Sequence, residues 1–258
     1  MGGALSAMDI VTALYFDKMN VSPEEADHPD RDRFLLSAGH KCLAQYAALA
    51  EKGYFAKEVM DTYGALGSKI PGHPDMHKLP GVEANTGALG HGLSIAAGMA
   101  MAAKLERRRY KVYAICGDGE LPEGSNWEAA AAAAKFGLDN LVVFVDNNGL
   151  QISGQVTEVM NMEPIAGKFA AFGWAVAKID GNDMEEIVKM LDRLPIERGK
   201  PTLILCHTVK AKGLSFGENQ AGYHFWNATE ELLRQAEEEM EARAEELRQE
   251  MEAVAYDG

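Results

Sequence analysis

Residues 117–148 read GDGELPEGSNWEAAAAAAKFGLDNLVVFVDNN, and this stretch decides the fold. Just upstream, residues 110–116 (YKVYAIC) are a short apolar run of strand type. After the Gly117-Asp118-Gly119 turn, residues 123–136 are rich in Ala and stop at Gly137, which reads as a helix. Residues 140–145 (NLVVFV) are a second strand, closing on Asp146-Asn147-Asn148. Strand, helix and strand make a βαβ unit, whose right-handed crossover sets the two strand ends side by side. Asp118 and Asn148 are therefore expected together at the carboxyl edge of a parallel sheet, where open α/β sheets bind ligands. One carboxylate and one amide oxygen are hard ligands, and too few to enclose a metal. Mg²⁺ held this way keeps positions open for phosphate oxygens, so the pair predicts a diphosphate anchor.

A lone Gly-Asp-Gly turn is a weak signal, because both residue types are common in tight turns. The spacer of 27 residues between it and the Asn pair is more specific, and the pattern resembles the thiamine diphosphate signature. Other segments resemble transketolases, in that family's order along the chain: residues 35–40 (LLSAGH), 67–74 (GSKIPGHP), 80–92 (PGVEANTGALGHG), 206–213 (CHTVKAKG) and 221–225 (AGYHF). The resemblance runs over residues 2–226.

It implies an α/β, parallel-sheet fold of three αβα layers, with residues 1–227 as the diphosphate-binding domain and 228–258 as a charged C-terminal helix. A single-chain transketolase also carries pyrimidine-binding and carboxyl-terminal domains, and 258 residues suffice for one sizeable domain. The chain thus resembles the amino-terminal subunit of a split transketolase. The family implies thiamine diphosphate with Mg²⁺ (or Ca²⁺ or Mn²⁺), and sugar phosphates exchanging a two-carbon glycolaldehyde unit. It further implies a partner chain that carries the pyrimidine-binding domain and its activating Glu, in an α2β2 assembly. Alone, the chain is expected to be inactive.

Residue by residue, the resemblance implies metal ligation by Asp118, Asn148 and the Leu150 carbonyl, with Gly117 and Gly119 framing the diphosphate turn. His40 and His73 are the implied catalytic histidines, toward diphosphate or substrate and toward the ketose oxygens respectively. A helix-capping His40 is the structural alternative. Pro71 and Pro74 stiffen the loop that carries His73. Gly87 and Leu89 match the segment beside the aminopyrimidine, and Ile152 the apolar residue beneath the cofactor rings. Lys210 and His224 match positions near the cofactor, against a surface Lys and a core His as rivals. Glu123 matches an acid linking two cofactor sites across the dimer, although a first-turn helix Glu would read the same. His91 stands where the family often has Gln, and His28, His77 and His207 carry no signal. The family's early Gly-His pair falls just before Met1, so a misassigned start or a truncation is expected.

Net charge is −14, from 25 basic and 39 acidic residues, which argues against non-specific nucleic-acid binding. Three unpaired cysteines, the absence of a signal peptide and of any bilayer-length apolar run fit a cytoplasmic protein with reduced thiols. Helices are expected at 6–17, with Ser6 and Asp9 as a capping pair, and at 40–52, 55–63, 93–109 and 184–194. Strands are expected at 174–179 and 202–206. Residues 64–92 are too rich in Gly and Pro for regular structure, and a loop that long is usually functional. Arg107-Arg108-Arg109 reads as a solvated helix end. Residues 228–254 read as a solvated or subunit-packing helix.

Two other readings share the GDG…NN element: the α subunit of a 2-oxoacid dehydrogenase, and a non-catalytic scaffold with the same fold. The GHP and TGALGHG segments favour the sugar enzyme over the first. A deoxyxylulose-phosphate synthase is disfavoured, since that enzyme normally carries all its domains on one chain.

Overall fold

The structure is a computed structural model and describes residues 1–225 and 228–256. Five strands form one parallel sheet: β1 (Arg33–Leu36), β2 (Val112–Gly117), β3 (Leu141–Asn147), β6 (Ala175–Asp180) and β7 (Thr202–His207), in the order β1-β2-β3-β7-β6. A small antiparallel hairpin, β4 (Leu150–Gln151) with β5 (Gly154–Gln155), follows β3 directly. The strands are apolar on both faces, as a sheet covered on both sides requires. On one face Phe34, Tyr113, Ile115, Val142, Phe144 and Ile204 pack against helices α1 (Gly2–Ala13), α2 (Cys42–Lys52) and α7 (Met184–Asp192). On the other, Leu35, Val112, Ala114, Val143, Val145 and Leu203 meet α3 (Gly92–Leu105), α4 (Gly124–Lys135) and α6 (Ile165–Phe172). The expected three αβα layers are therefore present.

The βαβ unit forms as its sequence dictates. Val112 pairs with Leu141 and Gly117 with Asp146, so the β2 and β3 ends lie abreast. Helix α4 presents Ala129, Ala130 and Ala133 to the sheet, and the small side chains let it lie close to α3, which offers Ala96, Ala97 and Ala100. A short helix α5 (Val156–Val159) follows the hairpin.

Several local expectations are corrected. Helix α1 begins at Gly2, so Ser6 and Asp9 are not a capping pair; Ser6 is interior and fully buried. Beyond Ala13 the chain widens into a π turn over Leu14–Lys18. The helix expected at 55–63 is 3-10 over Lys57–Thr62, and that at 40–52 opens as a 3-10 turn over Gly39–Lys41. Helix α3 stops at Leu105, because Arg107 turns to a positive φ of 57° and Arg108 pairs with Asp30 and Glu106. Residues 64–91 hold no helix or strand, as their composition predicts. Helix α8 (Glu230–Tyr256) is anchored where Glu239 accepts from the Ser215 backbone N–H (2.7 Å) and hydroxyl (2.6 Å). The expected 227/228 boundary abuts Asn227, which with Trp226 lies outside the described residues.

Candidate functional site

A cleft of about 370 Å³ opens at the carboxyl edge of the sheet, where β1, β2, β3 and β7 all end. Each strand end supplies a piece. After β1 come Ala38, His40 and Lys41; after β2, Asp118 and Gly119; after β3, Asn148 and Leu150; after β7, Lys210. The loop before α3 contributes His73, Gly87 and Leu89, and the 3-10 turn at Ala221–His224 brings His224. All the sequence-derived candidates except Glu123 line this one cleft. Glu123 is exposed at the N-terminus of α4 and abuts Gly90.

Asp118 is the hub of the β2–β3 edge. Its Oδ1 accepts from Gly119 N–H and its Oδ2 from Gly149 N–H, both at 2.7 Å. The carboxylate is thereby held against the loop that carries Asn148, whose Oδ1 accepts from Leu150 N–H at 3.1 Å. Burial raises the Asp118 carboxyl to about 6, a rise tempered by Lys41 and the two N–H donors.

Beneath it lies a polar cluster that the sequence reading does not include. Asp146 is fully buried and ion-pairs with Lys41, which is itself buried. Burial opposes the charge on Asp146, but Lys41, Ser6 and Thr208 outweigh it and hold the carboxyl below its ordinary value. For Lys41 the balance is similar: desolvation disfavours the ammonium, yet Asp146 raises it above the usual lysine value. Glu120, also buried, accepts from Ser37 Oγ (3.0 Å), Gly90 N–H (3.2 Å) and Gly117 N–H (3.1 Å), tying the β2 turn to the long loop.

Lys210, which residue type alone places as readily on the surface, is 1% exposed. Its ammonium lies 3.1 Å from His224 Nδ1 and 3.4 Å from the Leu150 carbonyl, and among the described residues it has no ion-pair partner. Burial first, then Lys41, lowers it to about 8. The His40 and His224 rings lie 4.9 Å apart. Burial and the neighbouring cations lower His40 to about 3 and His224 to about 4, so both are neutral near pH 7. A neutral imidazole offers one donor and one acceptor, which suits proton exchange with a hydroxyl.

Gly87 is where backbone geometry is decisive. Its φ of +126° disfavours any side chain, and a Cβ there would stand 2.4 Å from Cδ2 of His73. Gly87→Ala is expected to cost about 1–3 kcal/mol and to push the His73 ring aside. Urea denaturation and the His73 ring resonances check this; unchanged resonances would contradict it.

These residues fit a diphosphate with a divalent cation. An unpaired buried ammonium, glycines at 117 and 119 and the anion Asp118 surround one space. Among the described residues no three His, Cys, Asp or Glu side chains group to hold a metal by themselves. A cation here would therefore draw on Asn148, a carbonyl and ligand oxygens. A second groove of about 360 Å³ between α3 and α4 is lined by Ala97, Gly98, Met101 and Phe136, with Glu128 as its ionisable group; it offers packing rather than chemistry.

This fold is that of a thiamine diphosphate-binding domain. The chain belongs to the transketolase thiamine diphosphate-binding domain family, whose pattern matches residues 1–249. It is 46% identical over 250 residues to one of the subunits of apulose-4-phosphate transketolase from Phocaeicola vulgatus, covering 97% of this chain and 89% of that one. To the 6-deoxy-6-sulfo-D-fructose transketolase subunit SqwG of Clostridium sp. it is 43% identical over 241 residues, 93% of this chain and 88% of the other. These matches place the chain with the amino-terminal subunits of split transketolases. The crystal structure of transketolase from Campylobacter jejuni superposes with a TM-score of 0.81 at 31% identity over 92% of this chain, which spans 41% of that longer chain. No helix among the described residues is long and apolar enough to cross a membrane.

Proposed function

We propose that this chain is the thiamine diphosphate- and Mg²⁺-binding subunit of a two-chain transketolase. It moves a two-carbon glycolaldehyde unit from a ketose phosphate to an aldose phosphate. The observation that carries the reading is the joining of Asp118 to the Asn148 loop through Gly149 N–H, inside a cleft that also holds the unpaired Lys210. Asp118, Asn148 and the Leu150 carbonyl would hold the cation, and Gly117, Gly119, Lys210 and His224 the diphosphate. Ile152, 61% exposed at the cleft, and Leu89 offer apolar surface for the cofactor rings. Glu123, outside the cleft on the α4 side, suits contact with a second copy of the site.

Thiamine diphosphate supplies, when bound, the carbon nucleophile that carries the two-carbon unit between sugars. The chain's own residues orient and protonate. His40 and His73 face the cleft from two loops and would hydrogen-bond sugar oxygens, and neutral His40 can pass a proton through its ring. The relatives named for a ketose phosphate and for a sulfo-sugar support an anionic ketose as donor. Relatives named as subunits support a separate partner chain; to it this reading assigns the pyrimidine-binding domain, in an α2β2 assembly in the cytoplasm.

The test is reconstitution with the partner subunit, followed by titration with thiamine diphosphate and Mg²⁺ and by turnover of xylulose phosphate against pyruvate. Sugar turnover dependent on both chains is the expected result. Binding without turnover of either substrate would favour a scaffold, and pyruvate turnover a 2-oxoacid dehydrogenase.

A further inference from the structure

Asp146 has no part in the function proposed above, yet it is the most heavily hydrogen-bonded carboxylate beneath the cleft. Its Oδ2 accepts from Lys41 Nζ and from Ser6 Oγ at 2.6 Å, and its Oδ1 from Thr208 Oγ1. The Asn148 side-chain nitrogen lies 3.4 Å from Oδ1, 3.5 Å from Oδ2 and 3.3 Å from Ser6 Oγ. An ionised carboxylate can only accept hydrogen bonds. The one Ser6 hydroxyl proton is directed to Asp146 or to the Gly3 carbonyl, 2.9 Å away, so Ser6 too presents lone pairs to Asn148. The nitrogen end of the Asn148 amide must therefore face inward. Its oxygen is left on the other side, with Leu150 N–H and on the cleft wall beside Asp118. An amide with its ends exchanged would offer N–H donors to a cation and repel it.

We propose that Asp146 is a positioning residue that fixes the rotation of the Asn148 amide, so that oxygen and not nitrogen is offered to a divalent cation. Lys41 keeps the carboxylate charged, while Ser6 and Thr208 hold its two oxygens in place. The inference rests on the Asp118–Asn148 site of the preceding subsection.

Asp146→Asn is nearly isosteric but introduces an N–H₂ that can donate to Asn148 Oδ1 and release the inverted amide. In the full chain with its partner, Mg²⁺-dependent affinity for thiamine diphosphate, read by calorimetry, is expected to fall about tenfold or more. In the metal-free protein, the ¹⁵N-resolved side-chain N–H pair of Asn148 should exchange with solvent about tenfold faster. Asp146→Asn with Asn148→Asp keeps the net charge and makes the ligand oxygen-bearing at both ends, so it should recover most of the affinity. Parent-like affinity in Asp146→Asn overturns the proposal. So does a loss that leaves the N–H exchange unchanged and that the double variant does not rescue. Ser6→Ala removes one acceptor without unpairing Lys41; it should move both readouts the same way by less, and it decides the matter if Asp146→Asn does not fold. A parent protein that takes up no Mg²⁺-thiamine diphosphate overturns the cofactor-site reading instead, and this inference with it.

Discussion

Asp118→Ala is expected to weaken Mg²⁺-dependent uptake of thiamine diphosphate by at least about 100-fold, and to leave the reconstituted complex at background turnover. Two losses combine. The substitution deletes the anion proposed to hold the cation, and outer-shell changes at metal sites already cost 10- to 100-fold, so a direct ligand should cost at least the upper end. It also unties the turn from the Asn148 loop, since Gly119 and Gly149 lose the acceptor that each reaches at 2.7 Å. Asp118→Asn keeps the shape and part of the tether while discarding the charge, so it separates the two contributions. Calorimetry and turnover, with circular dichroism to verify the fold, provide the measurement. A well-folded Asp118→Ala protein that binds as tightly as its parent would remove the metal from this position.

Lys41→Met should give the largest loss of stability. It leaves Asp146 charged and buried without its counter-ion, and breaking a buried pair from one side costs about 3–5 kcal/mol. For a domain of this size that lowers the melting temperature by about 10 °C. Adding Asp146→Asn removes both charges and should regain most of the loss, because a neutral buried pair leaves no isolated ion. Thermal melts of the two single variants and the double close a mutant cycle. A Lys41→Met protein within about 1 kcal/mol of its parent would mean that water reaches Asp146 and screens it.

What could be read from the chain follows physical range. Residues 110–148 were legible because strand periodicity, an Ala-rich helix and Gly-bounded turns are written within a few residues of one another. Topology then brought Asp118 and Asn148 together. The segments around His40, His73, Gly87, Lys210 and His224 converge on the same cleft, although burial of Lys210 was hidden, because a lysine side chain more often marks the surface. The Lys41–Asp146 pair was illegible for a different reason: 105 residues separate the partners, and no local pattern links them. One hint existed, in an Asp ending the apolar run NLVVFVD, where a charge needs compensation. Ser6 misled, since a serine near a helix start reads as a cap, whereas helix α1 already begins at Gly2 and the hydroxyl reaches across to β3. The 3-10 turn over Lys57–Thr62 eluded periodicity because a single short element cannot separate spacings of 3.0 and 3.6.

The carboxylate at the end of β3 gathers donors from an opening helix, a turn after the first strand and the residue just past β7, at sequence distances of 140, 105 and 62 residues. On the proposed reading, the carboxylate that orients Asn148 gains its last donor only once Thr208 has been synthesised and docked. A ligand that needs the completed site stabilises the finished protein and none of its partial forms.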